Sequence, residues 1–233
     1  MDSSAAEYDG LLLDHDGVLV ELFDLDAMTA GLRQYGEPCF RALGLDPEPA
    51  LFDSFSVGAE IDEVRAVARR HSVDPDTLWR CRDDAIAATL REATHAGEKE
   101  PYEDVGAIGT VDLPRGIVSN NQRRIVEFVL AEHGLRELFG TVRAREPALS
   151  SLNRKKPAPT YLEGAMEDLG VERPLYVGDS ESDVVAARHA GVDVVFLRRE
   201  HNAATSLAVD PTYEATSLEE VVGLIRAGPV TER

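Results

Sequence analysis

Asp14-His15-Asp16-Gly17 sets two carboxylates one residue apart, directly after the apolar run Leu11-Leu12-Leu13. An apolar segment ended by acid and a glycine turn reads as a buried parallel strand running into a loop. Two carboxylates held together at such a strand end repel unless a cation compensates them. A divalent ion does this, and Mg²⁺ binds through one or two carboxylates plus substrate phosphate oxygens. The chemistry implied is metal-assisted phosphoryl transfer.

The pattern returns in Leu175-Tyr176-Val177-Gly178-Asp179, which leads through Asp183 into a helix closed by Gly191. Asp179 and Asp183, one helical turn apart, can face the same point. Between the acidic ends lie Gly116-Ile117-Val118-Ser119-Asn120, a strand ending in small polar groups, and Lys156-Pro157-Ala158-Pro159, which opens a helix. Open parallel sheets bind ligands outside the carboxyl ends of their strands, so all four segments deliver polar groups to one edge. Lysine occurs only at Lys99, Lys155 and Lys156, and arginine supplies the other cations. Two lysines at a helix start oppose the helix dipole; a compact ammonium serving as phosphate counter-charge accounts for the choice. Lys156 takes that role, and Lys155 reads as its solvated neighbour.

The elements that must position these groups follow from the apolar pattern. After Leu19 the strand signal stops until Ile117. Between them the sequence predicts helices over 25–43, 61–70 and 74–94, with a linker over 97–101 and a short, glycine-weakened helix over 104–110. Strands and helices then alternate: strands over 116–119, 140–144, 175–177 and 192–197, helices over 123–132, 157–169 and 183–190. The fold class is therefore α/β, a Rossmann-like doubly wound parallel sheet, with an all-helical insertion.

The four segments, in this order and covering almost the whole chain, resemble motifs I to IV of the haloacid dehalogenase superfamily in its phosphatase branch, near its phosphoglycolate-phosphatase-like members. The insertion is similar to that superfamily's small helical C1 cap, which divides the chain into a core (1–20 and 97–233) and a cap (21–96). The resemblance implies that Asp14 is the nucleophile that forms an aspartyl-phosphate and Asp16 the general acid and base. It implies that Ser119, Asn120 and Lys156 hold the phosphoryl group, and that Asp14, Asp16 (through its carbonyl), Asp179 and Asp183 surround Mg²⁺. The substrate expected is a small phosphorylated metabolite, with Phe55, Ser56 and Gly58 of the loop over 54–58 reading its leaving group. His15 replaces the usual apolar residue between the aspartates and is expected to point away from both. Among the alternatives, Asp16 and Asp179 argue against a dehalogenase. The absence of lysine from 21–96 argues against a phosphonate-cleaving enzyme, and the absence of histidine from 20–28 against a sugar-phosphate mutase. A non-catalytic phosphate-binding module would usually have lost one of these charged residues.

With 43 acids against 24 lysines and arginines the chain carries a formal charge of −19, which argues against nucleic acid as a partner. Such acidity with so little lysine resembles the proteins of salt-accumulating halophilic microbes, in which screening offsets self-repulsion. Cys39 and Cys81 show no redox or metal spacing and read as small core residues of a reducing cytosol. No signal peptide and no membrane-length apolar run is seen, so a cytoplasmic location is expected.

Overall fold

The computed structural model describes residues 8–46, 48, 51–52, 55 and 58–227. Six parallel strands form one sheet: β1 (Gly10–Leu13), β2 (Arg115–Gln122), β3 (Thr141–Arg145), β4 (Pro174–Gly178), β5 (Asp193–Leu197) and β6 (Tyr213–Ala215), in the order β3-β2-β1-β4-β5-β6. The connection leaves β1 toward one edge and returns to β4 on the other side, so the order reverses beside β1, where such sheets bind ligands.

Burial explains why these runs are strands. Leu11 and Leu13 of β1 pack with Ile117, Val177 and Val195 on one face of the sheet, where α4 (Arg123–Glu132) and α7 (Leu218–Ala227) cover them. Leu12 points to the other face with Val118, Tyr176 and Phe196, under α5 (Thr160–Leu169) and α6 (Glu181–Ala190). A strand buried on both faces must be apolar throughout, as Leu11-Leu12-Leu13 is. The doubly wound α/β architecture expected from the sequence is the one observed.

Between β1 and β2 stand the helices α1 (Leu25–Ala42), α2 (Ile61–His71) and α3 (Pro75–His95). Asp24 caps α1 by accepting from the Ala27 amide at 2.8 Å, and Asp74 caps α3 by accepting from Thr77 at 2.8 Å. Helices α1 and α3 cross so closely that a Cβ at Gly31 would lie 2.3 Å from Thr89. The same crossing joins Cys39 to Cys81 as a disulfide, their Cα atoms 6.0 Å apart. This corrects the expectation of two separate cysteines. A separation of 42 residues carries no pairing signal, and only the helix crossing creates it. The two chain segments that join helices to sheet run side by side: Glu21 N donates to Glu100 O at 2.9 Å, and Tyr102 N to Leu19 O at 3.0 Å.

Two element boundaries differ from expectation by three residues, and the others by at most two. Helix α5 starts at Thr160 rather than 157, because Ala158 precedes a proline and is thereby disfavoured from the helical region. Strand β2 continues past Ser119 through an irregularity to Gln122, where local side-chain acceptors satisfy the backbone: Asn121 N donates to Ser119 Oγ at 3.1 Å and Gln122 N to Asn121 Oδ1 at 2.7 Å. No helix among the described residues is long and apolar enough to cross a membrane.

Candidate active site

Register brings the motif residues level. Leu13 pairs with Ile117 on one side and Val177 on the other, and the Asp14 amide donates to Val177 O at 2.9 Å. Asp14, Ser119 and Asp179 therefore leave adjacent strands at the same edge. Carboxylate oxygens of Asp14, Asp179 and Asp183 all lie within 4.8 Å of one another. Asp183, at the third position of α6, is fully buried; its Oδ2 accepts from Ser180 N at 3.0 Å and from Asp179 N at 3.2 Å. The motif tolerates no side chain at two points. A Cβ on Gly17, where φ is +76°, would lie 2.0 Å from Asp179 Oδ2, and one on Gly178 would lie 2.3 Å from the Asp183 Cβ.

Lys156 reaches into this group from the loop before α5. Its Nζ lies 2.7 Å from Asp14 Oδ2 and 2.6 Å from Asp183 Oδ1, and donates to Val118 O at 3.1 Å and Tyr176 Oη at 2.9 Å. The Tyr176 hydroxyl donates in turn to Asp183 Oδ1 at 2.7 Å. Asn120 fixes the lysine's backbone, accepting from Lys156 N at 2.7 Å and donating to Lys156 O at 3.2 Å. Ser119 is buried beside this loop, its Oγ taken by the Asn121 amide.

One ammonium cannot neutralise three carboxylates. Burial pushes the Asp14 carboxyl well above the usual range against the pull of Lys156, with Asp183 and Asp179 adding to the rise. Burial also raises Asp179, despite its bond to His201. Lys156 stays charged: although burial opposes its charge, Asp14 and Asp183 hold it above the ordinary lysine range. A divalent cation fits the remaining negative charge, since oxygens about 2.1 Å from one octahedral ion stand up to roughly 4.2 Å apart, a small contraction from the spread observed.

The Asp16 carboxylate lies outside this trio. It is ion-paired with the buried Lys99 and accepts from Asn121 Nδ2 at 2.9 Å. Lys99 also donates to Glu21 O at 3.0 Å, tying the two linkers together. Although burial alone would raise Asp16, Lys99 holds its carboxyl well below the usual range. His15 corrects an expectation: its ring turns toward Asp16, with Nδ1 3.3 Å from Oδ2. Neither ring nitrogen meets hydrogen-bond geometry, and burial holds the imidazole below its ordinary pKa, hence neutral.

Asp16, Lys99 and Asn121 form one wall of a cavity of about 420 Å³ between the sheet edge and helices α1 and α3, faced by Trp79 and Arg82 of α3. Gly58 lines it. Phe55 is turned away, its ring stacked on Phe40 at 6.1 Å while its carbonyl accepts from Arg82 Nε at 2.7 Å. Ser56 lies outside the described residues. Lys155 is half-buried on the cavity wall rather than solvated. Sequence reasoning also missed Lys99, Asn121 and His201, whose Nε2 lies 2.7 Å from Asp179 Oδ2. Each meets a motif residue from a distant segment, which local spacing cannot show. The absence of lysine from 21–96 also proves too narrow a count, since Lys99 enters the cavity from the linker, though as the ion-pair partner of Asp16.

A family model described as haloacid dehalogenase-like hydrolase matches residues 9–197. The chain belongs to that family, and it is a hydrolase. Its relatives lie in the phosphatase branch. The chain is 27% identical over 201 residues to a phosphoglycolate phosphatase of Photobacterium profundum, covering 80% of this chain and 86% of that protein. To the phosphoglycolate phosphatase of Photorhabdus laumondii it is 30% identical over 225 residues, covering 95% and 91%. Among solved structures, CbbY from Rhodobacter sphaeroides in complex with phosphate superposes with a TM-score of 0.64 at 19% identity, over 92% of this chain and 96% of that one, a likeness of fold.

Proposed function

We propose that this protein is a Mg²⁺-dependent phosphatase hydrolysing a small, phosphoglycolate-like phosphomonoester through an aspartyl-phosphate. One observation carries the reading: three carboxylates converge at the switch point of the sheet, two of them on a single buried ammonium, beneath a cavity with a further carboxylate on its wall. The named relatives support the substrate class.

Asp14, Asp179, Asp183 and the Asp16 carbonyl would hold the ion, which supplies charge neutralisation for the phosphoryl oxygens. The Asp14 oxygen attacks phosphorus as the ester oxygen departs with its bonding pair. Lys156, with Ser119 and the Asn120 backbone, stabilises the charge gathering on the transferring oxygens. Asp16 faces the cavity in which the leaving alcohol sits. There, ionised beside Lys99 at the outset, it would take the proton that the phosphomonoester's monoanion brings, pass it to the departing oxygen, and then remove one from the water that cleaves the aspartyl-phosphate; that proton leaves with the released phosphate, which restores both carboxylates. Asn121 and Lys99 fix where that carboxylate stands. Residues 21–96 act as the cap over a core of 1–20 and 97–233, joined through the paired linkers at Glu21 and Glu100.

The test is hydrolysis of an aryl phosphate and of phosphoglycolate by the purified protein with Mg²⁺, beside the Asp14→Asn variant. Mg²⁺-dependent phosphate release that the variant lacks supports the reading. Wild-type protein inert toward every phosphomonoester, or unimpaired by Asp14→Asn, overturns it.

A further inference from the structure

Beyond the reacting end, the cavity has a character of its own. Most of its lining is apolar, with Leu22, Met28, Trp79, Ile86 and Leu90 among the residues that form it. At about 420 Å³ it falls in the range of pockets that enclose drug-sized ligands, whereas the two-carbon alcohol of phosphoglycolate would leave most of it empty. A buried apolar wall gains nothing from a ligand that does not touch it.

Among the described residues of the lining, Arg82, Lys99, Arg145 and Lys155 are cationic against the one acid Asp16, in a chain whose net charge is −19. Lys99 is matched by Asp16. Arg145 is matched by the fully buried Asp83 through two contacts, at 2.7 and 2.8 Å, and Arg82 also meets Asp83, at 3.0 Å. Both guanidiniums lie over the Trp79 ring, 4.9 and 5.1 Å from its centroid, so they are fixed in place. Lys155 stands against this pair with no carboxylate within ion-pair distance among the described residues. The charges that act on it are Glu60, Arg145 and Arg82, not the aspartates of the reacting centre. Lys155 lines the cavity together with Arg82 and Arg145, whereas the Lys156 ammonium is held by Asp14 and Asp183. Partial burial and the two arginines depress the Lys155 pKa against the opposing pull of Glu60.

Resting on the phosphatase reading above, we propose that Lys155 binds an anionic group at the far end of the leaving alcohol. The substrate is then a phosphomonoester whose alcohol carries an apolar segment longer than glycolate's and ends in a carboxylate. The apolar segment lies along Trp79 and its neighbours while the terminal carboxylate meets Lys155.

The experiment is a panel of phosphomonoesters: phosphoglycolate, 4-phosphobutanoate and 6-phosphohexanoate, n-butyl and n-hexyl phosphate as neutral-ended counterparts, and an aryl phosphate. Each is tested with wild type, Lys155→Met and Lys155→Arg, after circular dichroism has shown that the variants melt cooperatively. In wild type, kcat/KM for a longer carboxylate ester should exceed that for phosphoglycolate and for its neutral counterpart by about tenfold or more, the scale of one charge-assisted hydrogen bond. The carboxylate-to-neutral ratio should fall toward one in Lys155→Met and be largely restored in Lys155→Arg. Equal rates for carboxylate and neutral esters in wild type, or a ratio that survives Lys155→Met, overturn the inference while leaving the phosphatase reading intact. Failure to hydrolyse any ester, the aryl phosphate included, overturns both.

Discussion

Replacing Lys156 by methionine keeps the length of the side chain and removes its charge. The ammonium is almost wholly enclosed and contacts two carboxylates, a carbonyl and a hydroxyl. Without it Asp14 and Asp183 face each other uncompensated. Removing one partner of a buried ion pair costs about 3–5 kcal/mol. At about 2–4 °C per kcal/mol for a chain of this size, the melting temperature should fall by roughly 6–20 °C in metal-free buffer. The loss should be reversible in two ways. A divalent cation bound by the three aspartates replaces the missing charge and stabilises by mass action, so Mg²⁺ should raise the variant's melting temperature more than that of wild type.

Acid should act in the same direction. Asp14 already lies above the usual carboxylate range through burial, with Lys156 opposing the rise. Removing that opposition raises it further. A folded pKa above the unfolded one means that the folded state binds more protons, so stability grows on acidification and is lost as pH rises through the folded pKa. The variant should therefore gain stability relative to wild type between pH 7 and pH 5, read by thermal denaturation at several pH values with and without Mg²⁺. Turnover should drop on the order of 10²–10³-fold, as for loss of one preorganised charge-stabilising donor. A variant as stable as wild type in chelator, with the same Mg²⁺ increment, would refute the charge balance argued for the site.

Asp14→Asn should abolish phosphate release while leaving the fold intact, because an amide is a far poorer nucleophile; turnover above a few per cent, once deamidation is excluded by mass spectrometry, sinks the assignment. Excess chelator should abolish activity, with Mg²⁺ restoring it and Ca²⁺ restoring little, since the larger ion accepts looser geometry than in-line attack permits; full activity in chelator contradicts the metal reading. The melting temperature should rise steadily from dilute buffer to molar KCl as salt screens the charge of −19; a flat or falling trend removes the ground for the halophile reading.

What was legible in the sequence was local. Leu11-Leu12-Leu13 before Asp14, and Leu175-Tyr176-Val177 before Gly178-Asp179, announce strand ends because burial on both faces demands unbroken apolar runs. The glycines there admit no substitute, so the acids and the strand ends could be read together. Contacts between distant segments could not. Lys99 meets Asp16 across 83 residues and His201 meets Asp179 across 22. The Cys39–Cys81 bond and the orientation of Phe55 depend on how helices cross, which helical periodicity leaves open. His15 was misjudged because strand alternation ends at Leu13, and in the turn that follows the ring swings toward Asp16.

One signal could have found Lys99. The chain uses arginine for nearly all its cations, yet all three lysines stand at one site: Lys156 among the aspartates, Lys99 against Asp16, Lys155 on the cavity wall. The difference is chemical. A guanidinium spreads its charge over a planar fork that grips one carboxylate with two nitrogens, at the surface in Arg143–Asp168 and Arg198–Glu214 and buried in Arg145–Asp83, whereas an ammonium concentrates charge at one point on a slender stem. At Lys156 that one point meets two carboxylates, the Val118 carbonyl and the Tyr176 hydroxyl at once. Buried pairs of this kind are screened far less by salt than surface ones. In a concentrated electrolyte the exposed arginine pairs would therefore lose most of their electrostatics, while the buried Lys99 and Lys156 kept theirs around the reacting centre.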